Sequence, residues 1–260
     1  MMEEKKKELL VIIPAYNEGK NIGTLLDQLN RPGLKEIADV LVMNDASKDN
    51  TEAVVREKHH TVVNHVFNLG YGGGLQVGYK YAVKKGYRYI IQMDADGQHD
   101  VSNIPVIYQK LKEKDSQGCC PDVVLGSRFL EGSVSFQLSF AKKVAFVLFR
   151  TLIFMGTGRK ITDPTTGLWG LDRKVFSFYA RFSCLDDKYP DSNMIMEMLL
   201  LGFRVEEIPA VMHARVEGKS MHSGLKPFAY MLRMMFSIIA VWMRIKLFHV
   251  DAGAIGRENC

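Results

Sequence analysis

Five times in the first half of the chain, a short apolar run breaks off at a cluster of polar residues and glycines. Residues 9–13 end at Pro14-Ala15-Tyr16-Asn-Glu18, and residues 40–43 at Asn44-Asp45-Ala-Ser47-Lys-Asp49-Asn-Thr51. Val62 and Val63 precede Asn68-Leu-Gly70-Tyr-Gly-Gly-Gly74. Residues 89–93 stop at Asp94-Ala-Asp96, and residues 123–125 at Gly126-Ser127-Arg128. Helical patterns intervene, through Leu29 after the first cluster and through Lys85 after the third. Short apolar strands alternating with helices imply an α/β protein with a mostly parallel central sheet flanked by helices. The polar clusters then fall at strand C-terminal ends, where open α/β sheets bind ligands.

Beyond Arg128 the pattern changes. Residues 136–155 are aromatic-rich and carry Lys142, Lys143 and Arg150, as an interfacial amphipathic helix would, although core packing would explain the same pattern. Thr162-Asp163-Pro-Thr-Thr-Gly167 is a turn-rich loop leading toward a strand. Asp186, Asp187 and Asp191 crowd a loop before a helix at residues 194–201, and residues 204–208 form a late strand that Pro209 ends. Residues 227–250 are Met-rich and helical in pattern. Their longest uncharged run, residues 234–243, lies between Arg233 and Arg244. A span needs about 20 apolar residues, so this helix lies on a membrane or packs on the domain. The organisation expected is a catalytic domain over residues 1–223, followed by an amphipathic helix and tail over 224–260.

The 260 residues, 47% of them hydrophobic, suffice for one large core. The net charge of +5 is uneven: residues 138–160 carry five Lys or Arg and no acid, and the basic tail carries Glu217 alone among acids between residues 211 and 250. Basic charge interleaved with Phe, Met and Leu points to an anionic membrane surface rather than nucleic acid, a solvated basic face being the plainer alternative. Cys119, Cys120, Cys184 and Cys260 show no CxxC spacing, so a reducing compartment is expected. Residues 1–8 are charged with no apolar segment of signal-peptide length behind them. The sequence carries no signal for oligomeric state.

Asp94 and Asp96 lie two apart where a strand opens into a loop, so both carboxylates can reach one hard cation. Magnesium or manganese held in this way keeps its other positions for water and substrate phosphate, and offsets charge on a leaving diphosphate. Gln98 is a candidate third oxygen ligand. An acidic turn capping the helix near Ile104 is the alternative. A calcium EF-hand is excluded, because its sixth and twelfth loop positions hold His99 and Pro105 in place of Gly and Glu. A dinucleotide fingerprint beginning at Gly70 or Gly72 places Leu75 or Val77 where its third glycine belongs. A P-loop ending in Gly218-Lys219-Ser220 would need Gly at the position of His213.

Taken together and in order, the motifs resemble a family 2 glycosyltransferase of the GT-A fold, close to the dolichol-phosphate-mannose synthase-like branch. The matching stretches are Pro14-Ala-Tyr-Asn-Glu18, Asn44–Thr51, Asn68-Leu-Gly70, Met93-Asp-Ala-Asp-Gly-Gln-His99, Gly126-Ser-Arg128, Asp163-Pro-Thr-Thr-Gly167, Glu207-Ile-Pro209 and Arg215-x-x-Gly218-x-Ser220. The resemblance implies that Pro14, Ala15, Tyr16, Glu18, Asp45, Asn68, Gly70 and Asp94 serve the nucleotide. It implies that Asp94 and Asp96, with Gln98 as candidate, hold Mg²⁺ or Mn²⁺. Arg128, Asp163, Arg215, Lys219 and Ser220 would contact acceptor or phosphate. The reaction implied is a single inverting displacement at the anomeric carbon, with a nucleotide diphosphate leaving, at the inner face of the cell membrane.

Two departures bear on the acceptor and base. Asn44 replaces the first of two usual aspartates, which bears on the nucleobase contacts alone, and Gly218-Lys-Ser-Met stands where the synthases have Ser-Lys, which bears on the acceptor. No anchoring helix pair is seen, and the loop from Asp187 to Asp191 resembles envelope-polysaccharide members. These features favour a hydroxyl on a lipid-linked saccharide, with Asp191 as base and Asp187 as runner-up, over a polyprenyl-phosphate acceptor. In the simplest structural reading, Asp191 only caps the following helix. A sugar nucleotidyltransferase is disfavoured by Tyr16-Asn17-Glu18 after the first strand, and a catalytically dead nucleotide-sugar-binding protein by the intact Asp94 and Asp96.

Overall fold

The structure, a computed structural model, describes residues 7–135, 140–181, 190–214 and 226–249. The chain begins with β1 (Leu9–Ala15), α1 (Ile22–Leu29), the short α2 (Leu34–Ile37) and β2 (Ala38–Asn44). It continues through α3 (Thr51–Glu57), β3 (Thr61–Asn64), α4 (Gly70–Lys85), β4 (Tyr89–Gln92), α5 (Asn103–Lys110) and β5 (Val123–Ser127). The second half adds α6 (Phe140–Thr157), β6 (Trp169–Asp172), α7 (Arg173–Tyr179), α8 (Ser192–Leu200), β7 (Val205–Pro209) and α9 (Lys226–Lys246).

The strands form one sheet in the order β3-β2-β1-β4-β6-β5-β7, and only β6 runs against the rest. Leu9 to Ile13 and every residue of β4 and β5 are buried, because helices cover both faces of the sheet. That double burial is why these strands are continuously apolar rather than alternating. One core gathers Val11, Ile13, Leu26 and Ile104 under α1 and α5. The other gathers Ile12, Met43, Tyr79, Phe149, Phe176 and Met196 under α4, α6, α7 and α8. Gly78 sets the approach of α4 to the sheet: a Cβ there would meet Ile12 Cγ2 at 2.9 Å.

The antiparallel course of β6 matters for the site. Gln92 at the end of β4 pairs with Trp169 at the start of β6, so the loop entering β6 comes to the edge where β4 leaves.

Of the two expectations for α9, packing on the domain is met. Its inner side, with Met234 and Ile238, belongs to the second core, so the helix packs on the domain. Its outer side leaves Phe236 64% exposed, with Leu232, Ile239, Trp242 and Met243 also at the surface. On α6, Val147, Phe154 and Met155 are likewise exposed. No helix among the described residues is long and apolar enough to cross a membrane. The expected boundary between residues 223 and 224 lies outside the described residues.

The cysteine reading needs correction. Cys119 is disulfide-bonded and Cys120 is a free thiol. The lack of a CxxC spacing therefore does not exclude a disulfide, and the compartment inferred from that spacing loses its support.

Candidate functional site

The loops after β1 and β2 are zipped together. Asn17, in the left-handed region at φ 56°, donates its N–H to Ser47 Oγ at 2.9 Å, and its Oδ1 accepts from Lys48 N at 2.8 Å. Glu18 N donates to Thr51 Oγ1 and Gly19 N to Asp49 Oδ2, both at 3.0 Å. Tyr16 stays 46% exposed at the rim, above buried Ala15 and half-buried Pro14. The Glu18 carboxylate accepts from Asn21 Nδ2 at 2.7 Å.

Asp45 is buried and fully engaged. Its Oδ1 accepts from Leu69 N at 2.7 Å and lies 2.9 Å from His65 Nδ1, while Oδ2 accepts from Gly70 N at 3.0 Å. Asn68 Nδ2 donates to the Asp45 carbonyl at 3.2 Å. A carboxylate on the first N–H groups of α4 satisfies donors that the helix cannot. Asp45 thus fixes the Asn68-Leu-Gly70 turn, and both of its oxygens are committed to the protein.

The loop after β4 is similarly braced. Asp96, buried, accepts Gln98 N on Oδ1 at 3.0 Å. Asp94 is about one-third exposed, and its Oδ1 accepts from Tyr71 Oη at 3.0 Å. Asp94 N donates to His99 Nδ1 at 3.1 Å, which leaves the ring proton on Nε2, 4.0 Å from Asp94 Oδ2. Burial pushes the Tyr71 phenol well above its ordinary range, and the negative charge of Asp94 and, further off, Asp191 adds to it. Gln98 points its amide nitrogen at the His213 carbonyl, 3.5 Å away, and accepts His213 N on its backbone oxygen at 2.7 Å. Among the described residues, no three His, Cys, Asp or Glu side chains form a metal cluster. Two carboxylates at a strand end still fit magnesium or manganese, which draw their other ligands from water and substrate phosphate. Gly167 keeps that side clear, since a Cβ on it would stand 2.7 Å from Asp94 Oδ2.

Arg128, just past β5, forks onto Asp163, which is fully buried. Nε meets Oδ2 and Nη2 meets Oδ1, each at 2.7 Å, and Nη2 also reaches the Thr165 carbonyl at 3.1 Å. Burial disfavours the guanidinium charge, but Asp163, then Asp191 and Asp94, more than offset this and raise its pKa. Glu207 on β7 completes the brace: its carboxylate accepts Thr162 N at 2.7 Å, Thr162 Oγ1 at 2.8 Å and Asp163 N at 2.9 Å. The sequence reading assigned Glu207 no role, although the Glu207-Ile-Pro209 motif contains it.

Asp191 precedes α8 but its side chain makes no cap hydrogen bond. Its carbonyl alone enters the helix, accepting Met194 N at 2.9 Å. The carboxyl is turned into the protein, where Oδ2 accepts the Tyr230 hydroxyl of α9 and Oδ1 is buried without a hydrogen-bond partner among the described residues. Burial pushes its pKa up to about 7, against the opposing pull of the Tyr230 hydrogen bond and of Arg128. The simple capping role therefore does not describe this side chain. Asp94 and Asp191 both fall within electrostatic reach of Arg128 and of Tyr71. Asp187, Arg215, Lys219 and Ser220 lie outside the described residues.

Residues 10–179 match the family model described as glycosyl transferase family 2. An undecaprenyl-phosphate mannosyltransferase of Micrococcus luteus is 26% identical over 237 residues, covering 83% of this chain and 88% of that protein. A polyprenol monophosphomannose synthase of Mycolicibacterium smegmatis is 27% identical over 224 residues, covering 83% and 81%. Among solved structures, glucosyl-3-phosphoglycerate synthase from Mycobacterium tuberculosis in complex with phosphoglyceric acid aligns with a TM-score of 0.64 at 17% identity, over 93% of this chain and 80% of that one. The same enzyme has also been solved with Mn²⁺, uridine diphosphate and glucosyl-3-phosphoglycerate. At that identity the structural likeness bears on the fold, which is that of the GT-A glycosyltransferases. The family match runs from β1 through α7 and takes in the loops that carry Asp45, Asp94, Asp96, Arg128 and Asp163, so the chain is a glycosyltransferase belonging to glycosyl transferase family 2.

Proposed function

We propose that this enzyme is metal-dependent and inverting, and that it moves a sugar from a nucleotide-diphosphate sugar onto a hydroxyl of a lipid-linked acceptor. The observation that carries the acceptor reading is Asp191: a carboxyl within electrostatic reach of Arg128, with one buried oxygen left without a hydrogen-bond partner among the described residues. A sugar hydroxyl is barely ionised at neutral pH and needs a base within hydrogen-bond reach, and a base is most effective with a pKa near the working pH. Asp191 takes the hydroxyl proton as the acceptor oxygen bonds to the anomeric carbon, and the bond from that carbon to the diphosphate breaks. Tyr16, Pro14, Ala15 and Glu18 line the nucleoside side, with Asp45 holding the Asn68–Gly70 turn in place. Asp94 and Asp96, with Gln98 as candidate, would hold Mg²⁺ or Mn²⁺, which supplies positive charge to the leaving diphosphate. Arg128 is largely committed to Asp163, so Arg215, Lys219 and Ser220 are the stronger candidates for direct phosphate contact. His213, two positions before Arg215, is hydrogen-bonded to Gln98, which supports that assignment.

The exposed apolar sides of α6 and α9, with Lys143 and Lys246 at the surface, support docking on an anionic membrane. Each basic residue close to such a surface contributes about 1 kcal/mol. The inner face of the cell membrane is the side on which this reading places the enzyme.

The names of the relatives favour a second acceptor, a polyprenyl phosphate. A phosphate monoester has a second pKa of about 6 and needs cations rather than a base. Nucleotide release from a panel of nucleotide sugars with a lipid extract separates the two. On the hydroxyl reading, Asp191→Asn loses at least about 100-fold in kcat with donor binding kept. A loss under about fivefold, with Arg215→Ala far worse, would establish the phosphate acceptor instead.

A further inference from the structure

Among the described residues, polar contacts tie α9 to α8 and to the residue just before it. Tyr230 donates to Asp191 Oδ2, Asn193 Nδ2 donates to Ser237 Oγ at 2.9 Å, and Arg244 Nη2 donates to Glu197 Oε1. On α9 these residues stand at positions 230, 237 and 244, two helical turns apart at each step, so they share one stripe. Ser237 and Arg244 hold the helix on side chains that take no part in the proposed chemistry. Tyr230 alone of the three reaches the candidate base. Among the described residues, the other groups interacting with Asp191 include Arg128 after β5, Asp163 in the loop entering β6, and Tyr71 on α4, whose hydroxyl is directed at Asp94.

We propose that Tyr230 is a positioning residue for Asp191, fixing the carboxyl through Oδ2 while Oδ1 is left without a protein donor among the described residues. This rests on the reading of Asp191 as base. A phenol that donates to a carboxylate favours its charged form. Without that donation, burial would act on Asp191 with only Arg128 and its own helix start in opposition. The arrangement also links two parts of the function. The helix whose outer side bears Phe236 and Trp242 is the one that delivers the partner of the base, so seating α9 and setting Asp191 are one structural event.

The test is Tyr230→Phe in the full chain, with Ser237→Ala and Asp191→Asn alongside. Titration of the Asp191 carboxyl is followed by the infrared carbonyl band that Asp191→Asn abolishes, which requires no substrate. Loss of a hydrogen bond to a charged group should move the midpoint up by about one pH unit in Tyr230→Phe, and leave it in place in Ser237→Ala. Turnover is read as nucleotide release from UDP-glucose, UDP-N-acetylglucosamine or GDP-mannose with a total lipid extract. It should fall about fivefold at pH 7 and recover at higher pH, with the donor KM unchanged. Tyr230→Gln, which can still donate, should restore the midpoint. If Asp191→Asn is inactive while Tyr230→Phe keeps the wild-type midpoint and pH profile, the role of Tyr230 is overturned and the base stands. If Ser237→Ala moves the midpoint equally, the effect is one of helix seating and the proposal also fails. If Asp191→Asn remains within about fivefold of wild type, the base reading fails first.

Discussion

Gly167 stands where a single methyl group would press on the metal-side carboxylate, 2.7 Å from Asp94 Oδ2 and 3.3 Å from His99 Cε1. Gly167→Ala should therefore shift Asp94 and lower kcat/KM at least about tenfold, since misplaced charge-stabilising groups cost that or more. Its melting temperature should stay within a few degrees of wild type, and a fully active variant would show that Asp94 has room to spare. Asp191 carries a pH signature of its own. Its folded pKa lies above the unfolded value, so the stability it contributes is fully present below about pH 4 and is lost as pH rises toward 7. Asp191→Asn removes that dependence, so the variant should gain melting temperature over wild type between pH 5 and 8, while losing activity. At this scale the sequence disclosed residues whose chemistry is explicit, the carboxylates at loop positions. It did not disclose Glu207 or Tyr230, whose partners lie 44 and 39 positions away. It also could not show that the Asp45 oxygens are taken by the start of α4, because the competing donors are backbone N–H groups common to every sequence.

Among the elements, the parallel strands were readable because burial on both faces makes them continuous apolar runs. The direction of β6 was not, since four buried residues carry no mark of orientation. Yet that reversal brings the loop carrying Asp163 and Gly167 to the end of β4. α9 was readable as amphipathic, but not as two-sided. Its inner side buries Met234 and Ile238, while its outer side exposes large apolar groups. Phe236→Glu combined with Trp242→Glu should therefore abolish co-flotation with anionic liposomes at low salt and leave the thermal transition nearly unchanged. Persistence of flotation in that variant would remove α9 as the docking element.

Across the whole molecule, the loops at one edge of the sheet hold each other in register. The β1 loop is bound to the β2 loop, the β2 loop to α4, the β4 loop to residues 211–213, and the β5 loop to β7 through Asp163 and Glu207. Such bracing allows a diphosphate to be met by groups already in place, which is how electrostatic stabilisation of a leaving group becomes large. The most direct measurement is nucleotide release from a nucleotide-diphosphate sugar by the full chain, with Mg²⁺ or Mn²⁺ present and then with excess EDTA, beside Asp96→Asn. The account requires turnover with metal, loss of at least about 100-fold with EDTA, restoration on adding metal back, and an inactive Asp96→Asn that melts like the wild type. Full turnover in excess EDTA, or an active Asp96→Asn, would contradict it.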